Sequence, residues 1–177
     1  MMKDIVKPIA VLAGICLVVT ALLAFVNQLT LPVIVEAEEK AAAAARSEVL
    51  SAAKDFKRLT PEYLPEGVTE VYEGSDGSGY VILVQVKGYG GVIKLIAGIR
   101  SDGTLEAIKT LSHSETTGVG TKAVDNNSGY RDRFAGTTAD SYQQIDTISG
   151  ATISSTAYKK GVGLIFDAYR IVKEAGV

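Results

Sequence analysis

Two short strings carry the residue types that could handle an anionic ligand. The first is Asp146-Thr147-Ile148-Ser149-Gly150-Ala151-Thr152-Ile153-Ser154-Ser155, which lies directly before a helical pattern. Small residues and hydroxyls at a helix start leave backbone N–H groups exposed, and the helix dipole adds partial positive charge, so a phosphate suits the position. The plainer reading keeps Ser149 or Thr152 as an N-cap, which is the commoner reason for a hydroxyl there. The second string is His113-Ser114-Glu115-Thr116-Thr117-Gly118-Val119-Gly120. Its glycines and hydroxyls suit a loop lying flat against a ligand, with His113 and Glu115 able to bond polar groups. A solvated carboxylate and a surface histidine at a strand end are the ordinary alternatives. With one cysteine and one histidine in the chain, neither an internal disulfide nor a zinc site is available. Redox chemistry here requires a borrowed organic cofactor or partner subunits.

The elements that must position these strings are read from periodicity. Residues 80–86, Tyr-Val-Ile-Leu-Val-Gln-Val, are dense in β-branched types and too short for a typical helix, which predicts a strand. Residues 92–99 repeat the pattern, and Gly88-Tyr89-Gly90-Gly91 between them supplies a turn or a close backbone approach. A third strand over 105–111 follows Asp102-Gly103, a pair suited to a tight hairpin turn. The three form an antiparallel meander. The polar stretch 125–129 reads as a surface loop. Tyr158, Val162, Ile165, Tyr169 and Val172 then fall on one helical face, which predicts a C-terminal helix packed on the sheet. The expected fold class is α+β.

Hydropathy is uneven along the chain. Residues 8–35 carry no charge and 9–26 are nearly all apolar, enough to cross a hydrocarbon core of roughly 30 Å as a helix. Lys3 and Lys7 precede this run while Glu36, Glu38 and Glu39 follow it, so the positive-inside bias places the N-terminus in the cytoplasm and the rest outside. A cleaved signal peptide starts similarly, but its apolar core is usually about 7–15 residues. A lipoprotein reading of Cys16 meets Ile15 where a small residue is expected, so Cys16 is taken as a packing residue within the span. The alanine-rich stretch from 36 to about 56 extends the helix, and Pro61, Pro65 and Gly67 mark its passage into a globular domain. The expected organisation is 1–35 as cytoplasmic start and single span, 36–66 as a juxtamembrane helical stalk, and 67–177 as an extracytoplasmic domain. A net charge of −2 leaves no basic excess for nucleic acid.

The run Asp146-x-x-Ser149-Gly150-Ala151-Thr152 resembles the flavinylation motif of the FMN-binding domain family, found in the G subunits of Rnf electron-transport complexes and in the C subunits of the sodium-pumping NADH:quinone reductase. Residues 113–120 resemble that family's His-x-Glu-Thr-Pro-Gly-Leu-Gly signature, and Gly88-Tyr89-Gly90-Gly91 is similar to its pattern. Thr117 stands where the family usually has Pro and Val119 where it usually has Leu. Neither change removes a hydroxyl or carboxylate. The resemblance implies FMN joined through its phosphate to Thr152 by a flavin transferase that uses FAD as donor. It further implies that Ser149, Gly150, Ala151, Ser154 and Ser155 surround the attachment point, and that His113, Glu115, Thr116, Thr117, Gly118, Val119 and Gly120 flank the flavin.

The same resemblance implies a membrane-bound electron carrier in an Rnf-type ion-translocating ferredoxin:NAD+ oxidoreductase complex, beside integral membrane and iron–sulfur or flavin subunits. The chain has no cysteine cluster and no Gly-x-Gly-x-x-Gly strand-to-helix motif, so iron–sulfur and NAD sites belong to those partners. The alternatives are the C-type component of the quinone reductase, a stand-alone extracytoplasmic flavoprotein, and a non-redox membrane-anchored binding domain in which Thr152 is only a helix cap. Compact length favours the Rnf G type over the quinone reductase C type.

Overall fold

The computed structural model describes residues 2–175, with the side chains described from residue 6 onward. The chain divides into two compact units, residues 1–41 and 42–177. Helix α1 (Met2–Val49) makes up the first unit and contributes its last turns to the second. Large apolar side chains from Val6 to Val35 are exposed along it, including Leu17, Leu23, Phe25 and Val33. Such a run of exposed apolar side chains is the condition that a lipid environment satisfies. Pro8 and Pro32 lie inside the helix, and the Thr30 hydroxyl donates to the carbonyl of Val26 at 3.1 Å.

The second unit is α+β. Five strands follow in order: β1 (Phe56–Leu59), β2 (Val68–Gly74), β3 (Gly79–Lys87), β4 (Val92–Arg100) and β5 (Leu105–Ser112). They form one antiparallel sheet with the same spatial order. The expected meander over 80–111 is its central and last part. Gly103 has φ +90, the left-handed conformation that the Asp102-Gly103 turn requires. A short helix α2 (Thr121–Val124) and two 3₁₀ turns (Arg131–Phe134 and Tyr142–Gln144) lead to the long helix α3 (Thr152–Ala175). Tyr158, Val162, Ile165, Tyr169 and Val172 are all buried, joining Ile82, Val84, Leu95 and Ile99 in the larger core.

The stalk differs from expectation. The helix ends at Val49, short of the expected limit near residue 56, and Phe56–Leu59 pairs with β2 as an edge strand. Residues 42–66 therefore belong to the globular unit. The physical reason is burial: Ala45, Val49 and Leu50 are almost fully covered by the sheet, and β1 completes its edge. Helix propensity carries the sequence reading past a boundary that tertiary packing sets.

Candidate functional site

Three segments distant in sequence meet in a cleft of about 560 Å³ lined by Tyr89, Glu115, Thr116, Val119, Gly120 and residues 150–154. They are the β3–β4 turn, the loop after β5, and the start of α3. The volume lies within the range usual for small-molecule and cofactor sites.

The start of α3 forms the first wall. Gly150 has φ +80, so the chain turns through a conformation that side chains rarely adopt before entering the helix. The first helical hydrogen bond is donated by the Ser155 amide to Ala151, leaving the amides of Thr152, Ile153 and Ser154 without an intrahelical acceptor. Thr152 and Ile153 are exposed at the cleft, while Ser154 and Ser155 are buried. The Ser155 hydroxyl ties the preceding turn to the helix, accepting from the Ile148 amide at 3.1 Å and donating to the carbonyl of Ala151 at 2.9 Å. Ser155 thus braces the turn and is not among the residues lining the cleft.

The loop after β5 forms the second wall. Glu115 is buried, with 7% of its surface exposed. One carboxylate oxygen accepts the Gly90 amide at 2.9 Å, and the other accepts the Ser154 hydroxyl. Thr116 and Val119 are exposed and face the cleft. The loop is closed by local bonds, from the Val119 amide to Thr116 at 3.2 Å and from the Gly118 amide to the Thr121 hydroxyl at 2.9 Å.

Farther along, Asn126 binds both the amide and the carbonyl of Thr110, at 2.9 and 2.8 Å, substituting for a neighbouring strand at the end of the sheet.

The structure brings together Thr152, Gly150, Ala151, Ser154, Glu115, Thr116, Val119 and Gly120 from the sequence expectation. It does not bring His113, Thr117, Gly118, Ser149 or Ser155 to the cleft lining. His113 faces away: its Nε2 lies 2.8 Å from Asp125, and its Nδ1 accepts the Glu115 amide at 3.3 Å. That pairing puts the proton of a neutral ring on Nε2 and makes His113 a brace for the loop. Two lining residues, Tyr89 and Ile153, lie within the strings picked out above but are not among the site residues expected from them. Both are large apolar side chains left exposed, 70% and 58%, beside hydroxyls and glycines, and Tyr89 set among glycines in a turn is the available signal.

The arrangement suits an anion at the helix start and an apolar planar group beside Tyr89, Val119 and Ile153. Comparison with known proteins agrees with that chemistry. Residues 88–165 match the FMN-binding domain, and residues 1–49 match the RnfG N-terminal region. The G subunit of the Na(+)-translocating ferredoxin:NAD(+) oxidoreductase complex of Acetobacterium woodii is 30% identical, covering 95% of this chain and 93% of that protein. The G subunit of the ion-translocating oxidoreductase complex of Methanosarcina acetivorans is 34% identical over 88% of this chain and 89% of its own. Its counterpart from Shewanella piezotolerans is 29% identical over 93% of this chain and 89% of its own. With its FMN-binding domain behind a long apolar helix, the chain belongs to the family of G subunits of ion-translocating ferredoxin:NAD+ oxidoreductase complexes.

Proposed function

We propose that this chain carries FMN on the Thr152 hydroxyl and serves as a membrane-anchored electron-relay subunit of an Rnf-type ion-translocating ferredoxin:NAD+ oxidoreductase complex. The observation that carries the reading is the position of Thr152: an exposed hydroxyl in the first turn of α3, on the rim of a cleft whose other walls are Tyr89 and Val119. Bound FMN supplies one- and two-electron redox chemistry. The chain's own part is holding and placing it.

Thr152 is an acceptor in this reading. Its oxygen gains a bond to the phosphorus of FMN, the pyrophosphate bond of the FAD donor breaks, AMP leaves, and the hydroxyl proton is released. A flavin transferase performs that exchange, since the cleft offers no general base of its own beyond the engaged Glu115 carboxylate. The phosphodiester keeps a negative charge, which the open amides of residues 152–154 and the dipole of α3 stabilise. Attachment through the phosphate leaves the ring system free to rest against Tyr89, Val119 and Ile153. Redox partners, both the integral membrane and the iron–sulfur or flavin subunits, complete the electron path, because this chain is a carrier without a full active site.

The apolar helix anchors the domain at the membrane. Lys3 and Lys7 before the span and Glu36, Glu38 and Glu39 after it favour a cytoplasmic N-terminus and an extracytoplasmic FMN domain. Covalent attachment has a clear use there, where a dissociated flavin would be lost.

The test is expression of the full chain with and without a flavin transferase, denaturation, and comparison of in-gel flavin fluorescence and peptide mass. Wild type is expected to keep fluorescence on the peptide bearing Thr152, Thr152→Ser to keep a fraction, and Thr152→Ala to lose it. Full labelling of Thr152→Ala would falsify the attachment site.

A further inference from the structure

We infer that Glu115 is a positioning residue of this site: its carboxylate fastens the β3–β4 glycine turn to the first turn of α3, and so fixes where Thr152 presents its hydroxyl. The inference rests on the attachment reading above for its consequence, although the fastening itself is a property of the protein alone.

The geometry departs from what the residue type suggests. A carboxylate in a cofactor loop invites the reading of a ligand contact, but both oxygens of Glu115 are taken by the protein. The Gly90 amide lies 25 residues away in sequence and the Ser154 hydroxyl 39 away, so one side chain joins all three walls of the cleft. Room for it is made by glycine. A Cβ on Gly88 would lie 2.2 Å from one carboxylate oxygen, and a Cβ on Gly120 would lie 2.6 Å from the other. One glycine in each of two separate strings, Gly88 and Gly120, thus makes way for a single buried group. A nearly buried carboxylate is tolerated only with hydrogen-bond donors in place, so its two partners and its position stabilise one another. Ser154 sits two residues beyond Thr152 on the same helical turn, and Gly90 adjoins Tyr89. Fixing these two points fixes the attachment hydroxyl relative to the apolar wall.

The competing role for Glu115 is its negative charge, acting on the flavin through space. Two substitutions separate the roles. Glu115→Gln removes the charge but keeps the span: its carbonyl oxygen can accept the Gly90 amide, and its NH₂ can donate to the Ser154 oxygen. Glu115→Asp keeps the charge but is one methylene short of bridging both partners. A positioning residue therefore tolerates Gln and fails with Asp, whereas a charge role reverses that order. Glu115→Ala is the full deletion, and the Gln and Asp pair decides the matter even where Ala does not fold.

The experiment uses the full chain in detergent. Amide hydrogen exchange is followed at Gly90 and at the first turn of α3 in protein made without the transferase. The labelling rate of Thr152 is followed with FAD and the transferase added. Glu115→Asp is expected to lower protection at Gly90 by about tenfold, the scale of one lost hydrogen bond to a charged group, and to slow labelling comparably. Glu115→Gln should keep both within about threefold of wild type. Wild-type protection and labelling in Glu115→Asp, or an equal loss in Glu115→Gln, would overturn the inference. Failure of wild type to label at all would instead defeat the attachment reading, and the exchange arm would still decide whether Glu115 fastens the walls.

Discussion

On one face of the sheet, Ile82, Val84 and Val86 of β3 and Ile93, Leu95, Ala97 and Ile99 of β4 pack against α3, which contributes Tyr158, Val162, Ile165 and Val172. On the other face, Val81, Leu83 and Ile96 meet Ala42, Ala45, Val49, Leu50 and Ala53. The first cover uses large side chains and an aromatic cluster, with Tyr158 5.8 Å from Tyr130 and 5.6 Å from Phe134 between ring centroids. The second uses three alanines beside Val49 and Leu50, with a close backbone approach at Gly98. The difference separates two tasks. Interdigitated large residues hold α3 in one register, and with it Thr152. The alanine face lets residues 42–49 at the end of α1 pack close against the strands within the same unit.

The largest expected effects come from emptying each core. Tyr158→Ala should cost about 4 kcal/mol and Leu50→Ala about 3 kcal/mol in thermal or denaturant melts of the detergent-solubilised chain. The informative readout is Thr152 labelling per folded molecule. Tyr158 lies two turns into α3, so its loss should depress labelling as well as stability. Leu50→Ala should lower stability while the folded fraction labels as wild type. Equal labelling by both would show that the α3 face has no special claim on the site. Burial pushes the Tyr130 phenol up to about 12 and the Tyr158 phenol further, so both cluster members stay neutral under these conditions.

A smaller effect separates the two covers through one glycine on each. At Gly98, an added Cβ would lie 2.1 Å from the Val49 carbonyl oxygen, a backbone atom that cannot turn aside. At Gly161 on α3, the nearest atom would be the end of the Leu95 side chain at 2.6 Å, which can change rotamer. Gly98→Ala should therefore destabilise by about 2–3 kcal/mol. Gly161→Ala should come out near neutral, because the repacking strain is offset by roughly 1 kcal/mol of helix propensity. Comparable losses at both positions would mean that the two faces are packed alike.

The sequence disclosed these regions unevenly, for physical reasons. Strands β3 to β5 were legible because both faces of the sheet are covered, which makes their cores continuous runs of β-branched residues. The stripe on α3 was legible from its spacing. Strand β2 was missed because Glu70 and Glu73 interrupt its apolar residues, and β1 because four residues with Lys57 and Arg58 carry almost no pattern. The end of α1 was overrun because an alanine run signals helix without signalling where packing stops it. At the site, residue types placed Thr152 and the loop with Thr116 and Val119. They left Glu115 and His113 as ligand candidates, because a residue's partners across 25 or 39 positions are a tertiary property. Nothing local distinguished a carboxylate that faces a ligand from one that bolts the walls together.

The smallest effect concerns how the alanine face is locked to the sheet edge, and it depends on pH. Glu106 on β5 accepts the Ser51 hydroxyl at 2.6 Å and the Ser51 amide at 3.0 Å, and its other oxygen accepts from Arg100 at 3.1 Å. Partial burial pushes its carboxyl up, but the Ser51 bonds and Arg100 outweigh that, and the group titrates below the ordinary glutamate value. A folded pKa below the unfolded one stabilises fully above the unfolded value of about 4.3, and that stabilisation fades as pH falls through the folded pKa. Glu106→Gln should therefore cost roughly 1–2 kcal/mol at pH 7, the scale of hydrogen bonds to a charged group. The gap between wild type and variant should close as the melt is repeated from pH 5 down to pH 3. A gap that stays constant across that window would mean that Glu106 contributes by packing alone. Labelling of Thr152 at pH 7 should not change in Glu106→Gln, since this lock lies on the face that packs residues 42–53 and not on the one that packs α3.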